Sequence, residues 1–589
     1  MKKIYFSQIV TTLVIFLTFS SCSDDYLDQT NPNNISTDIF WETLDDVDLG
    51  LTALYKHWSS ANNIILVDEL LRSDLAWGSG YQRPTNSNVY YQQTFNNAAP
   101  ELNNKWAQNY KTIFAANQVI NATQKLLGTF DKEEDEEAAK LILAQARLLR
   151  GHNYFILYHS FNEGNIPIFS EVPEDEADFY QPIQDAASVR AFYMEDLKFA
   201  AENLPVKWEG KDLGRVTAGA AVALMGQTHL YNGEFDEAAT YFKSVINDFG
   251  YSLTPNIGSN FTTLDEFNSE SILEVSYSMD YKNELGPWDS RDVANTGSYN
   301  KKFTGVQGWR NAVAANWLIL EYRNEKLDYS DNRNKVIDEE GNEKFRKFSL
   351  RTSWSIALVD DPDLGYYGFD TPGQATNFNV KMTGYWRKHT NWDLGEKNED
   401  LISPGKVRSA INERLIRLAE VYLQYAECMI ELGDVEEALL YINKVRHRSA
   451  VQLLGANGTG EYPSSDHDNI SYTAETLMHH LRFKEYPLEL SAEGDGNRNI
   501  DLNRWGIKKS RFQELAQRRY TADNYEVIMP DGTKITRWGT ILKELPTDDP
   551  LVDPNWNEFQ EASQNYIESE HAYWPLPNSE LITNPELYK

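Results

Sequence analysis

Hydrophobic residues recur at helical spacing in several segments of the chain. Between residues 37 and 58 a stripe of large apolar side chains repeats every three or four positions, at Phe40, Leu44, Val47, Leu51 and Leu54. Ser36, Thr37 and Asp38 precede this stripe as candidate N-caps. The same spacing predicts helices over residues 102–127, 133–160, 189–204, 217–232 and 235–249. The pattern therefore predicts an all-α scaffold.

Two stretches of the chain, residues 217–246 and 416–445, share one helical pattern. Each has an apolar helix, a glycine (Gly233 or Gly433), and a second helix with a small residue (Ala238 or Ala438) four positions before a large one. This is the tetratricopeptide (TPR) pattern, in which small residues let paired helices approach and large ones fill the groove. Two unrelated helical hairpins are the alternative interpretation.

Between the two repeats, residues 251–404 lack helical periodicity and are rich in Gly, Asn, Asp, Trp and Tyr. This composition predicts a loop-rich lobe with a few short strands, one of them at residues 271–276. Residues 70–101 form a second irregular stretch. Irregular segments of this length in an ordered protein usually carry function.

The start of the chain has the features of an export signal. Basic residues at 1–3 precede an apolar run at 9–19, which is too short to span a bilayer. Ser20 and Ser21 then lead into Cys22, as in a bacterial lipobox. We expect residues 1–21 to be a lipoprotein signal peptide, Cys22 to be lipidated and residues 22–36 to form a tether. A signal peptide with a chance cysteine is the alternative.

The charge balance limits the classes of ligand. The chain has 55 Lys and Arg against 88 Asp and Glu, a net charge of −33, which disfavours nucleic-acid binding. The 15 Trp and 33 Tyr suggest that some rings face outward as a binding surface. The only cysteines are Cys22 and Cys428, which cannot build a disulfide framework or a cysteine-rich zinc site.

The sequence gives only weak signals for a catalytic or metal site. No GxSxG, HExxH or P-loop motif is present, although 88 acids leave a glycosidase carboxylate pair possible. His479 and His480 suit a surface or capping role, and residues 464–469 lack the glycine and distal glutamate of a calcium loop. We expect Cys428 to be buried and inert. We expect no catalytic residue, metal or cofactor.

Motifs in order along the chain resemble those of the SusD/RagB family of Bacteroidetes outer-membrane lipoproteins. They are CSDDYLDQTNPNN, AQARLLRGHNYF, GRVTAGAAVAL, IRLAEVYLQYAE, INKVRHRSA, RFKEYPLELSAEGDGNRNIDLNRWG and YWPLPNSELITNPEL. The sixth contains an apparent insertion near residues 495–497, and the last lacks the family's usual ending. The charged motif residues are better explained as buried structural ion pairs than as functional groups: Arg147, Arg150, Glu427, Glu493 and Arg504.

The resemblance implies a single domain over residues 37–589, with about four TPR-like helix pairs at 102–250 and 410–450 supporting the lobe at 251–404. It also implies a surface lipoprotein, anchored in the outer membrane and facing the exterior, that captures an oligosaccharide as the lid of a SusC-type TonB-dependent transporter. Capture of peptides, as in some members, remains an alternative. A helical-barrel glycoside hydrolase and a purely structural scaffold are weaker ones.

Family members place ligand contacts in loops of the two irregular regions. A sugar presents an apolar face to a flat ring and hydroxyl groups to polar side chains. The residues with this mixture are Asp74, Trp77, Tyr81, Arg83, Tyr90, Tyr91, Trp288, Asp289, Tyr299, Trp309, Arg310 and Asn311. We expect Trp309 to be the main stacking ring, followed by Trp77, Trp288 and Tyr81. Each ring has the alternative of anchoring its loop in the core, where we place Trp41, Trp106 and Trp505.

Overall fold

The computed structural model describes residues 41–78, 88–262, 264–278, 300–303, 306, 308–338, 340–378, 382–393, 409–548 and 556–589. The expected signal peptide, Cys22 and the tether lie outside these residues. Within the described ranges, no helix combines the length and the apolar character needed to cross a membrane.

Between residues 41 and 248 the described chain forms seven α-helices, and the predicted ones are present within a few residues of their expected ends. They are α1 Leu44–Trp58, α2 Leu66–Arg72, α3 Pro100–Leu126, α4 Glu133–Ser160, α5 Ala186–Asn203, α6 Ala218–Tyr231 and α7 Phe235–Asp248. The start of α1 was predicted too early. Thr43 caps this helix, because its Oγ1 accepts from the Asp46 N–H while Asp46 Oδ2 accepts from the Thr43 N–H at 2.8 Å.

Shorter helices dominate the rest of the chain. They are α8 Asn300–Phe303, α9 Asn316–Arg323, α10 Leu350–Ser355, α11 Pro372–Ala375, α12 Leu418–Glu431, α13 Val435–Arg448, α14 Ala474–His480, α15 Tyr486–Leu490, α16 Asn497–Arg504, α17 Lys508–Gln517, α18 Gln560–Asn565, α19 Glu568–His571 and α20 Asn578–Thr583. A π-helical turn over Leu481–Glu485 joins α14 to α15.

Eight helices form the scaffold as four helix pairs. Each helix packs on the next in the order α1, α3, α4, α5, α6, α7, α12 and α13. In the pair α6–α7 the helices approach closely at Gly226. A Cβ at this position would lie 2.7 Å from the Phe242 ring. Ala238 and Ala438 are fully buried, and Gly233 and Gly433 turn the chain with positive φ. The all-α, TPR-like fold is therefore confirmed.

The strands of the described chain pair two by two in antiparallel ladders. These pairs are β1 Ala76–Gly78 with β5 Ala312–Ala314, β2 Ile166–Pro167 with β3 Ile183–Gln184, β4 Ser271–Val275 with β10 Glu413–Arg417, β6 Lys335–Ile337 with β7 Glu343–Phe345, β8 Ile356–Ala357 with β9 Tyr385–Trp386, and β11 Arg519–Ile528 with β12 Lys534–Leu545. The predicted strand at 271–276 is β4. The long β11–β12 hairpin was not predicted.

Scaffold and lobe share one hydrophobic core, because most of the buried apolar residues from Val47 to Leu587 form a single cluster. Trp106 is buried within it, and Trp41 and Trp505 pack partly buried against it. The prediction that these three rings belong to the core is confirmed.

The charged motif residues form buried ion pairs, as predicted. Asp196 binds Arg147 at 2.6 Å and Arg150 at 2.7 Å, and Glu427 binds Arg504 at 2.6 Å. These pairs hold α4 against α5 and α12 against α16.

A second network lies around Arg417 at the end of β10. Its Nε is 2.6 Å from Glu493, and its Nη1 is 2.7 Å from both Glu270 and Glu489. Glu270 also binds Arg448 of α13 at 2.9 Å. The network therefore ties β10, α13 and α15 to the residue that precedes β4.

Candidate ligand-binding site

The β1–β5 ladder brings the two irregular regions of the sequence together. Ala76 pairs with Ala314, Trp77 with Val313 and Gly78 with Ala312. The chain leaves this ladder after Gly78 on one strand and enters it from residues 309–311 on the other. Segments far apart in sequence thus meet at one end of a three-residue ladder.

Two of the predicted ligand contacts are wrong, because they lie inside the molecule. Trp77 is only 2% exposed in β1, where its neighbours are core residues. Asp74 is fully buried and accepts from Arg498 Nε at 2.7 Å and Arg511 Nε at 2.9 Å. Burial would raise the pKa of Asp74, but the two guanidinium groups outweigh it and lower the pKa to about 2. Asp74 therefore anchors the segment before β1 to α16 and α17.

Tyr90 and Tyr91 are also core residues rather than ligand contacts. Both are buried, and Tyr90 donates to the Glu101 carboxylate. Tyr91 Oη accepts from the Phe559 N–H at 3.0 Å, and its ring lies 5.5 Å from that of Phe559. These contacts join the first irregular region to the C-terminal part of the chain.

Trp309, Arg310 and Asn311 lie at the surface end of the ladder. The Trp309 side chain is 51% exposed, whereas Arg310 and Asn311 are half-buried. Arg310 has a positive φ of 57°, and its guanidinium lies 5.6 Å from the centroid of the buried Tyr385 ring. The Asn311 N–H donates to the Lys302 carbonyl at 2.7 Å. The exposed ring is thus followed in the chain by a guanidinium and an amide, a combination of groups that can bind an apolar face and hydroxyl groups.

Carboxylates lie close to Lys302, beneath this surface. Burial raises the pKa of Asp68 to about 7, and Lys302 opposes that shift. Burial and the nearby Asp495 raise the pKa of Glu413 to about 8, and Lys302 again opposes the shift. Sequence reasoning missed both carboxylates, because neither Asp68 in α2 nor Glu413 in β10 lies in a motif that distinguishes it from a surface residue.

The remaining predicted contacts fall outside the described residues. They are Tyr81, Arg83, Trp288, Asp289 and Tyr299. Tyr81 is three residues beyond Gly78, so the chain connects it directly to the ladder that supports Trp309. Their part in the site stays a prediction.

The other candidates have structural partners. Cys428 is buried, and burial raises the pKa of its thiol well above the usual range. His480 Nε2 lies 2.7 Å from Glu485, and the His479 ring lies 4.8 Å from that of Phe483. In the segment 464–469, Asp468 Oδ1 accepts from the Gly455 N–H at 2.9 Å. Across the described residues, no group of three or more His, Cys, Asp or Glu side chains is placed to hold a metal ion.

Comparison with known proteins gives one consistent result. A SusD-like protein of Bacteroides ovatus is 24% identical over 604 aligned residues, covering 99% of this chain and 97% of the relative. The crystal structure of a SusD homolog from Bacteroides thetaiotaomicron superposes with a TM-score of 0.68 at 20% identity and covers 94% of this chain and 98% of that chain.

Two further solved structures are named together with a glycan. A laminarin-binding SusD-like protein has a TM-score of 0.59 at 21% identity and covers 80% of this chain and 94% of that chain. A crystal structure with xylogluco-oligosaccharide has a TM-score of 0.61 at 20% identity and covers 92% of this chain and 97% of that chain.

Family models cover most of the sequence. A model described as starch-binding and associating with outer membrane matches residues 25–230. The model of the SusD family matches residues 269–589, which is more than half of the chain. The protein therefore belongs to the SusD family.

Proposed function

We propose that this protein is a surface lipoprotein that captures an oligosaccharide and passes it, as a lid, to a SusC-type TonB-dependent transporter in the outer membrane. It binds the glycan without cleaving it. Lipidation of Cys22 provides the anchor, and the surface at Trp309 provides the binding site.

The observation that carries the proposal is the exposed Trp309 ring on a rigid base. A tryptophan left half exposed forgoes the stabilisation that burial of its ring would give. Its backbone neighbours are fixed, because Asn311 is hydrogen-bonded to the Lys302 carbonyl and β5 is paired with β1. A tryptophan side chain has only two rotatable bonds, so it loses little conformational entropy when a ligand stacks on it. Family membership and the glycans named for two structural neighbours support a sugar as that ligand.

The test begins with a polysaccharide array that includes laminarin and xyloglucan, followed by calorimetry with whatever glycan binds. Trp309→Ala is expected to weaken binding more than tenfold, because a stacking residue at the centre of a site contributes about 2 kcal/mol or more. The melting temperature is expected to stay within about a degree or two of wild type, because substitutions of exposed side chains change stability little. Tyr329→Ala is the matched control, since that ring is 57% exposed on another loop.

Other outcomes assign other functions. A ligand found only among peptides would favour a peptide-capturing lipoprotein. Shortened products after long incubation with the bound glycan would favour a glycoside hydrolase. Wild-type affinity in Trp309→Ala would place the binding site elsewhere.

A further inference from the structure

A second exposed tryptophan lies on the β11–β12 hairpin, which sequence analysis did not connect with any function. Trp538 is 61% exposed. The ladder is regular on both sides of it, but the register shifts between Asp523 and Tyr525, so that residues 538–540 lie opposite Asn524 alone. Trp538 is the first residue of this bulge, and it follows the buried Arg537. Bulges of this kind are frequent next to functional sites.

The backbone on either side of Trp538 is fixed. Arg537 donates from Nε and Nη2 to the Gly373 carbonyl at 3.0 and 2.8 Å, which ties the hairpin to α11. Gly539, with a positive φ of 63°, donates its N–H to Asn524 Oδ1 at 2.9 Å. The buried Trp556 lies under Gly539, 4.0 Å from the position of a Cβ there. The bulge is a rigid support for the ring and not a loose tip.

A short series of contacts connects Trp538 with Trp309. Arg310, next to Trp309, has its guanidinium 5.6 Å from the Tyr385 ring. Tyr385 Oη donates to the Asn377 carbonyl at 3.0 Å. Asn377 Oδ1 lies 3.4 Å from Nη1 of Arg537, which precedes Trp538. This path runs through the buried Tyr385 and Arg537, joins the segments that carry the two exposed rings, and includes the exposed residue Asn377.

The charges around Trp538 are matched within the hairpin. Lys534 pairs with Glu526 at 2.8 Å on one side of the ring, and Lys543 pairs with Asp523 on the other. The surface therefore offers a flat ring and an amide with little net charge, although the whole chain has a charge of −33. This mixture fits a neutral, hydroxyl-rich chain better than a charged partner.

We infer that Trp538 is a second stacking ring of the glycan site, so that the site takes a glycan chain of several sugar residues extending from Trp309 across Asn377 to the hairpin. The inference rests on the proposed function. It adds that the protein selects for chain length: a short oligosaccharide reaches Trp309 alone, and a longer one contacts both rings.

The experiment measures affinity against chain length by calorimetry. The first probes are laminarin and xyloglucan with their oligosaccharides of increasing length, and any further glycan that binds on the array is treated in the same way. Trp538→Ala is expected to lower the affinity for the polysaccharide and long oligosaccharides five- to tenfold and to leave the shortest bound oligosaccharide unaffected. Trp309→Ala is expected to weaken binding at every length. Trp538→Phe should recover most of the loss.

Ile528→Ala is the matched control, because Ile528 is 59% exposed on the same hairpin and should not affect affinity. Melting curves of all variants should coincide with wild type, and a lowered melting temperature in Trp538→Ala would return that ring to a structural role. Loss of affinity in Trp309→Ala with none in Trp538→Ala would overturn the second ring and leave the proposed function intact. Failure of wild type to bind any glycan would overturn both.

Discussion

At the scale of single residues, the guanidinium of Arg417 is tightly constrained by its partners. It is almost fully buried and satisfies Glu270, Glu489 and Glu493 at once. Removing one member of such a buried network destabilises the fold, because the charges that remain are shielded from water.

Arg417→Met is therefore expected to lower the free energy of unfolding by about 3 kcal/mol or more, since it removes one of the few cations that balance three buried carboxylates. Urea unfolding followed by circular dichroism measures the change. Lys534→Met is the control, because it breaks an ion pair at the surface and is expected to change stability little. Equal midpoints for both variants would contradict a structural role for the network.

The raised pKa of Glu413 predicts that the stability of the protein depends on pH. Burial and Asp495 raise its pKa to about 8, so the native state keeps a proton that the unfolded chain releases at lower pH. Stability is then lost as pH rises from the ordinary carboxyl range toward 8. Glu270 acts in the opposite direction: its pKa is about 2, because Arg448 and Arg417 outweigh burial, and its contribution is lost only as pH falls through the acid range.

Glu413→Gln is expected to flatten the decline in melting temperature between pH 5 and pH 8, in a comparison of wild type and variant by thermal melts at several pH values, because the amide has no proton to lose. The gain should be largest at the alkaline end. Parallel curves for the two proteins would show that Glu413 does not titrate in this range.

At the scale of elements, helix pairing depends on small residues in a few positions. Ala238 is fully buried in α7, a helix that packs on both α6 and α12. Ala238→Phe is expected to overpack this interface and to destabilise the protein by about 1–3 kcal/mol. Thermal melts test it against Thr240→Phe, an exposed position on the same helix. If the two variants melt alike, position 238 is not an interface.

The helix pairs could be predicted from sequence because their signal is local. A glycine and a small–large pair recur at fixed offsets, and these residues meet their partners within one hairpin. The site was harder, because Trp77 and Trp309 both lie in polar, glycine-containing segments. What separates them is the pairing of Trp77 with Val313, a contact between distant parts of the chain that no local pattern reports.

The hairpin was missed for a related reason. A strand with one buried face alternates strictly, yet the buried residues Tyr520 and Val527 are an odd number of positions apart in β11. The two ends of β11 therefore bury opposite faces, on either side of the irregular pairing at Asn524. A periodicity test over the whole strand therefore averages two opposite phases.

At the scale of the whole molecule, the proposed role requires attachment to the outer membrane. Cys22→Ala is expected to abolish acyl labelling and to release the protein from the membrane fraction, because the described residues contain no helix able to span a membrane. Metabolic labelling and fractionation measure both effects. Cys428→Ala is the control, since that thiol is buried and should not accept an acyl chain. Label that persists in Cys22→Ala would contradict the anchor.

The contact between α7 and α12 has a consequence for how the chain folds. These helices are neighbours in space, but the whole lobe lies between them in sequence, and the pairing of β4 with β10 closes the segment from Val275 to Glu413. The hairpin of α6 and α7 involves only local contacts and can form early. Docking of α12 must wait until that long loop is closed, which costs entropy before any contact repays it. Refolding is therefore expected to show an early helical phase and a later one in which the lobe and the second repeat form together.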